Sequence, residues 1–163
     1  MSYVEHIVGE YYKKLGYFIS SRVKYFSRKW GWKDIDLLAV NENEVLIIEC
    51  KGGAKNHSEM AKKIIEDIVE INKYIDEKMP LAKGKKRRNL LVVAFTLSPK
   101  TVEHELHSRG VDVLYLQNVI KNFLKLLEKE MKESKKIGKE EDFVTRTLKQ
   151  LIIYKWIKDD VFN

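Results

Sequence analysis

The stretch Trp32–Gly53, W-K-D-I-D-L-L-A-V-N-E-N-E-V-L-I-I-E-C-K-G-G, limits the folds open to this chain more than any other. Its apolar runs, Ile35 to Val40 and Val45 to Ile48, flank the polar, turn-prone Asn41-Glu42-Asn43-Glu44, and the pattern reads as a β-hairpin. An even-numbered loop centred between Glu42 and Asn43 sets Val40 opposite Val45 and Leu38 opposite Ile47. Carried outward, that register sets Asp36 opposite Glu49 and Asp34 opposite Lys51. Residues two apart on a strand share a face, so the four charged side chains are expected together.

Carboxylates on directly opposed positions repel unless a cation or a proton lies between them. Lys51 offsets part of that repulsion, and a hard divalent cation would offset the rest. Mg²⁺ takes one or two protein carboxylates, with water and phosphate oxygens completing its shell. Such an ion lowers the pKa of bound water and neutralises phosphoryl charge, while a neighbouring ammonium orients or activates the attacking water. The plain alternative is a solvated hairpin face with Lys51 as salt-bridge partner. The strongly apolar flanks, and charges gathered at the strand ends away from the turn, favour chemistry.

The same residues resemble the PD-(D/E)XK nuclease superfamily. Asp36, Glu49 and Lys51 form D-x(12)-E-x-K inside D-I-D-L-L-A and I-I-E-C-K-G, with Ile35 where the family usually has Pro. Glu5, ahead of Gly16-Tyr17-Phe18, matches the family's Glu on the first helix. Archaeal Holliday-junction resolvases and Mrr-like endonuclease domains share this layout, and the resemblance spans roughly residues 3–117. It implies a restriction-endonuclease-like α/β core, with a central mixed sheet flanked by helices and a C-terminal helical extension. It also implies an Mg²⁺-dependent DNA endonuclease, with Mn²⁺ as a substitute. Asp36, Glu49 and the Cys50 carbonyl would bind metal, Lys51 would assist the water, and Glu5 would be an outer ligand or helper. Structure-selective cleavage, as in junction resolution during DNA repair or recombination, competes here with Mrr-like restriction. The readings from other classes are a non-cleaving nucleic-acid-binding subunit and an RNA-directed or CRISPR-associated nuclease.

Around this hairpin, residues 3–15 read as a helix with an apolar stripe of Val4, Val8, Tyr11 and Leu15, ended by Gly16. A strand from Tyr17 to Phe26 leads into the basic, aromatic Ser27–Lys33, where Arg28, Lys29, Trp30 and Lys33 either grip and stack on DNA or pack at the domain edge. After Gly52-Gly53, a helix over 58–78 starts at a Ser58 cap and lines Ala61, Ile64, Ile65, Ile68, Ile71 and Ile75 on one face. Lys55 and His57, just past the acidic strand, are candidate DNA contacts. Lys85, Lys86, Arg87 and Arg88 belong to a basic loop, either solvated or touching phosphates. Leu90–Phe95 reads as a central strand, Ser98-Pro99 opens a short helix, and Val111–Leu116 is a second strand reached by a parallel crossover. His104 and His107 have metal-pair spacing but no third ligand nearby, so both are expected at the surface.

A nuclease-like domain is expected over 1–131 and an amphipathic helical extension over 132–163, with a hinge in the charged segment Lys132–Glu141. In the extension, Phe143, Leu148, Leu151, Ile152, Trp156 and Ile157 form the apolar face, for core packing or a homodimer. The net charge of +7 suits a polyanionic partner. The single cysteine, Cys50, excludes an internal disulfide and alternates with the charged face, so a buried structural thiol is expected. With no signal peptide or membrane-length apolar run, the expected site is cytoplasmic, with no membrane partner and no small-molecule cofactor. Abundant Lys and Glu beside scarce Gln lean toward a thermophile.

Overall fold

The apolar runs pair into one five-stranded sheet in the order β1-β2-β3-β4-β5. The strands are β1 (Phe18–Ser27), β2 (Gly31–Val40), β3 (Glu44–Lys51), β4 (Lys86–Val93) and β5 (Val111–Tyr115). The computed structural model describes residues 2–134 and 142–162, the side chains of residue 134 and of residues 156–162 excepted. The helices are α1 (Tyr3–Lys14), α2 (His57–Lys78), α3 (Thr101–Ser108), α4 (Leu116–Ser134) and α5 (Phe143–Phe162). β1–β2 and β2–β3 pair antiparallel, whereas β3–β4 and β4–β5 pair parallel, so the sheet is mixed as expected. The fold is therefore α/β, with a central mixed sheet and C-terminal helices. Among the described residues no helix is long and apolar enough to cross a membrane.

α2 lies along one sheet face and divides its work. Ala61, Ile64 and Ile68 pack with Leu91 and Val93 of β4, Val111 of β5 and Val102 and Leu106 of α3. Further along, Ile71 and Ile75 pack with Tyr25, Ile35, Leu38, Val45 and Ile47. Each such aliphatic side chain removed from water stabilises the fold by about 1.5–3 kcal/mol. α1 covers the opposite face, where a Cβ on Gly9 would stand 3.8 Å from Leu37 and 3.9 Å from Ile19.

These contacts reveal a break in strand alternation. Ile35 and Leu38 share the α2 side while Leu37 faces α1, so β2 inverts once between Ile35 and Leu37. β1 inverts too, because Ile19 faces α1 but Val23 and Tyr25 face α2. The break falls where Arg22 would meet Asp36. Register on both sides continues from Ser21↔Leu37 to Val23↔Ile35, yet Arg22 and Asp36 are not paired, and Arg22 has φ of 53°. Asp36 thus sits where the sheet changes face.

Several local expectations are corrected. Asn56, not Ser58, caps α2, accepting from the Glu59 N–H at 3.1 Å. α3 starts at Thr101 with Lys100 in the cap position, because Ser98 is held elsewhere: its N–H donates to His57 Nδ1 at 2.9 Å. Lys86, Arg87 and Arg88 are not loop residues but the first turn-free residues of β4, paired with Glu44, Val45 and Leu46.

The chain divides into two compact units, residues 1–116 and 117–163. In the second, the buried positions of α4 are Val119, Phe123, Leu127 and Met131. The buried stripe of α5 is Thr145, Lys149 and Ile152, while Phe143 and Leu151 are exposed. The apolar face expected for α5 is thus rotated, and the Lys149 ammonium lies 3.5 Å from Glu130 of α4. The side chains of Trp156 and Ile157, and residues 135–141 of the expected hinge, fall outside what is described.

Candidate functional site

The β2–β3 ladder pairs Val40 with Val45 and Leu38 with Ile47, as the mirror register requires, but it ends at Leu37↔Ile48. Beyond that point the Asp36 side chain replaces the missing ladder bond. Its Oδ2 accepts from the Cys50 N–H at 2.8 Å. Lys51 Nζ then lies 3.4 Å from Asp36 Oδ2 and 3.1 Å from Glu49 Oε2. Asp36, Glu49 and Lys51 are therefore one cluster at the C-terminal end of β3. Asp34 does not join it: it is exposed and stands opposite Lys24 of β1, because the ladder that would have set it against Lys51 has already ended.

Burial decides the electrostatics. Glu49 is buried, and desolvation pushes its carboxyl up; Lys51 pulls it back and Asp36 pushes it further, leaving a pKa of about 7. Burial draws Lys51 down, but the Glu49 and Asp36 carboxylates outweigh it and hold the ammonium above its ordinary value. Lys51 is thus a fixed cation, fit to orient water or stabilise an oxyanion and unfit to accept a proton. One ammonium against two carboxylates leaves room for a further cation, and two carboxylate oxygens are the donors a hard divalent ion takes. The donor set fits Mg²⁺ or Mn²⁺ on that ground.

Cys50 is buried between Glu49 and Lys51 in sequence, and its thiol is held far above the usual range by burial first, then by Asp36, Glu49 and Glu5. It is structural. Glu5 is buried at the start of α1, where its carboxylate accepts from the Ser2 N–H at 3.1 Å in a capping box. α1 begins against the end of β3, since a Cβ on Gly52 would stand 3.7 Å from the Tyr3 ring. Glu5 therefore borders the cluster while serving its own helix.

A second ionic layer was not read from the sequence. Lys33, expected as a surface DNA contact, turns inward to form an ion pair with Asp67 of α2, and both side chains are largely buried. Asp67 Oδ1 is buried without a hydrogen-bond partner. Glu49, two residues past Ile47, emerges on the α2 side of the sheet, and the Asp67 carboxylate of α2 helps raise both Glu49 and Tyr25. The signal was available: Asp67 falls on the apolar stripe, three residues after Ile64 and four before Ile71.

The remaining candidates separate. Arg28, Lys29 and Trp30 form the β1–β2 turn, with Lys29 bound to Glu66 at 2.8 Å and its ammonium 4.9 Å from the Trp30 ring centre. Lys55 is exposed just past β3. His57 stacks on Phe95 and holds the loop after β4, so its imidazole is occupied by structure. Lys85, Lys86, Arg87 and Arg88 gather toward the opposite end of β3 and β4, with Lys86 about 17–23 Å and Arg88 about 10–17 Å from the cluster at strand rise. Lys85 there bonds the Asn41 carbonyl, Arg87 pairs with Asp76, and Arg88 meets Asp112 at 3.1 Å. His107 is exposed, its Nδ1 3.6 Å from Asp112.

No protein-family model matches this sequence, and no curated protein does. Among solved structures, the chain is similar to the crystal structure of AF1548, a protein of unknown function. The TM-score is 0.55 at 15% identity, over 83% of this chain and 71% of that one. At that identity the likeness shows a shared fold.

Proposed function

We propose that the chain is a divalent-cation-dependent endonuclease of the PD-(D/E)XK type, hydrolysing phosphodiester bonds in DNA. The observation that carries the reading is the convergence of Asp36, Glu49 and Lys51 where the β2–β3 ladder ends. Asp36 and Glu49 would hold Mg²⁺ or Mn²⁺, which when bound supplies Lewis-acid activation of water and neutralises charge on the scissile phosphate. Lys51, kept cationic by both acids, stabilises negative charge that develops on the phosphoryl oxygens and orients the attacking water. The Cys50 N–H fixes the Asp36 carboxylate and so spares the site that reorganisation.

The test offers four-way junction, flap, single-stranded and linear duplex DNA side by side with Mg²⁺ or Mn²⁺. Wild type should cut at least one form. Glu49→Ala and Lys51→Ala should each lower cleavage by about 10²-fold or more, as loss of an electrostatic stabiliser does. Glu49→Ala should also weaken metal binding by calorimetry, whereas Lys51→Ala should spare it. If wild type cuts none of these DNAs, the chain is better read as a non-cleaving nucleic-acid-binding subunit.

A further inference from the structure

Around its turn the β1–β2 hairpin carries three large aromatic side chains to solvent: Phe26 is 61% exposed, Trp30 54% and Trp32 72%. Phe26 and Trp32 are cross-strand partners with rings edge to face at 5.7 Å. Such a pair ordinarily stabilises a sheet by burying area, which this one does not do. Instead it walls a groove of about 460 Å³ together with Arg28 and, from α2, Glu70, Lys73, Tyr74 and Lys78. A second cleft, about 330 Å³, continues along α2 and is lined by Lys29, Trp30, Asp67 and Glu70, among others. Glu70 belongs to both, so the two run on from each other. Asp67 lines the second cleft and pairs with Lys33, three residues before Asp36 on β2, so that run leads along the α2 side of the sheet toward the acid–lysine cluster.

The charge around these rings selects the occupant. Two ammoniums approach the Trp30 ring, Lys29 at 4.9 Å and Lys63 at 6.0 Å from its centre. Lys29 is neutralised by Glu66 and Lys73 by Glu77; Arg28, Lys63 and Lys78 enter no ion pair among the described residues, and of the acids lining the grooves only Glu70 enters none, so unpaired cations outnumber unpaired carboxylates three to one. A surface of planar rings interleaved with uncommitted cations complements a polymer of planar bases joined by phosphates. A peptide groove would instead offer a continuous aliphatic stripe.

We infer that this double groove, Phe26–Trp32 and Trp30 against α2, binds the unpaired bases of a single polynucleotide strand leading to or from the acid–lysine cluster. The inference deepens the nuclease reading by naming a substrate with a single-stranded segment, and it rests on that reading only for the word substrate. Stacking on aromatic rings tolerates any base, and loss of one ring lowers affinity by about ten-fold or more. Duplex DNA, with its bases stacked inside, gains nothing from these rings.

The experiment measures fluorescence anisotropy of a labelled oligothymidine and of a duplex of equal length, in chelator so that nothing is cut. Phe26→Ala, Trp30→Ala and Trp32→Ala, each checked by thermal melting, should weaken single-strand binding about ten-fold while duplex binding stays level. Trp32→Phe should recover most of the Trp32→Ala loss. Ring variants that bind oligothymidine as tightly as wild type overturn the inference, as do variants whose sedimentation shows lost self-association with unchanged oligonucleotide affinity. Phe18→Ala, which removes an exposed ring of β1 that lines neither groove, should, run alongside, bind both probes like wild type. Ring-dependent binding without any cleavage by wild type would end the nuclease reading and leave this site standing; cleavage without ring dependence would do the reverse.

Discussion

Glu49 is pulled two ways, with burial favouring its protonated form and Lys51 favouring the ionised one, and the balance leaves it titrating near 7. In the unfolded chain the same carboxyl titrates near its ordinary 4.5. Between those values the folded protein holds a proton that the unfolded chain has released. Stability must therefore fall as pH rises through that window and level off above about 7. In chelator, the wild-type melting temperature should drop between pH 5 and pH 8, a range chosen to bracket that transition. Glu49→Gln should flatten the profile and melt above wild type at the alkaline end. Lys51, whose folded pKa is raised, contributes stability that persists below its ordinary 10.5, so it is constant across this window. Removing it with Lys51→Met should move the Glu49 transition to higher pH, because the counter-charge is gone. A melting profile that is flat in wild type and unmoved by Glu49→Gln would falsify the assignment of this carboxyl as the strained one. Metal binding should strengthen over the same pH range, since the ion competes with the proton for Glu49.

Two devices at the level of elements hold that residue where it is. The first is the Lys33–Asp67 ion pair, which fastens α2 to β2. Breaking a buried pair strands a charge, so Lys33→Met or Asp67→Leu alone should cost about 3 kcal/mol. The joint change Lys33→Met with Asp67→Leu should restore most of it, since well-packed apolar replacements remove both desolvation costs. Urea titration of the four proteins measures this, and two additive losses would show that the pair is not coupled. The second device is the face inversion at Arg22 and Asp36. A β-branched residue resists the left-handed backbone that Arg22 adopts, so Arg22→Val should destabilise by about 1–2 kcal/mol although Val favours strands, whereas Arg22→Gly should be tolerated. Equal stability of the two variants would remove the argument. The hairpin, its register and the nearness of Asp36, Glu49 and Lys51 were legible because apolar alternation and a short polar turn are local signals. The inversion was not legible, since it depends on which helix covers each side of the sheet. It separates Asp34 from the cluster even though simple alternation would have kept it there. Lys33 was misread for a related reason: its partner Asp67 is distant in sequence, and a lysine beside tryptophans looks like surface until the facing helix is known.

At the scale of the whole molecule, the net charge of +7 says only that a polyanion is favoured; where the positive charge is usable is a question of pairing. The run Lys85–Arg88 is the densest basic segment, yet Arg87 and Arg88 are engaged by Asp76 and Asp112, and Lys85 by the Asn41 carbonyl. The charges of Arg87 and Arg88 are thus offset by carboxylates a few ångströms away. Arg28, Lys63 and Lys78 lack such partners among the described residues, and they lie along the aromatic groove. Each phosphate contact releases counterions and adds about 0.9 to the slope of log affinity against log salt on a duplex, or about 0.7 on a single strand. The triple change Arg28→Gln, Lys63→Gln and Lys78→Gln should therefore reduce the oligothymidine slope by about two. Arg87→Gln with Arg88→Gln should leave the slope near wild type and instead lower the melting temperature, because the ties to α2 and β5 are lost. Anisotropy titrations at several salt concentrations decide between the two patches. A slope that flattens with the Arg87 and Arg88 changes but not with the triple change would put the polyanion at the far end of the sheet, away from Asp36, Glu49 and Lys51.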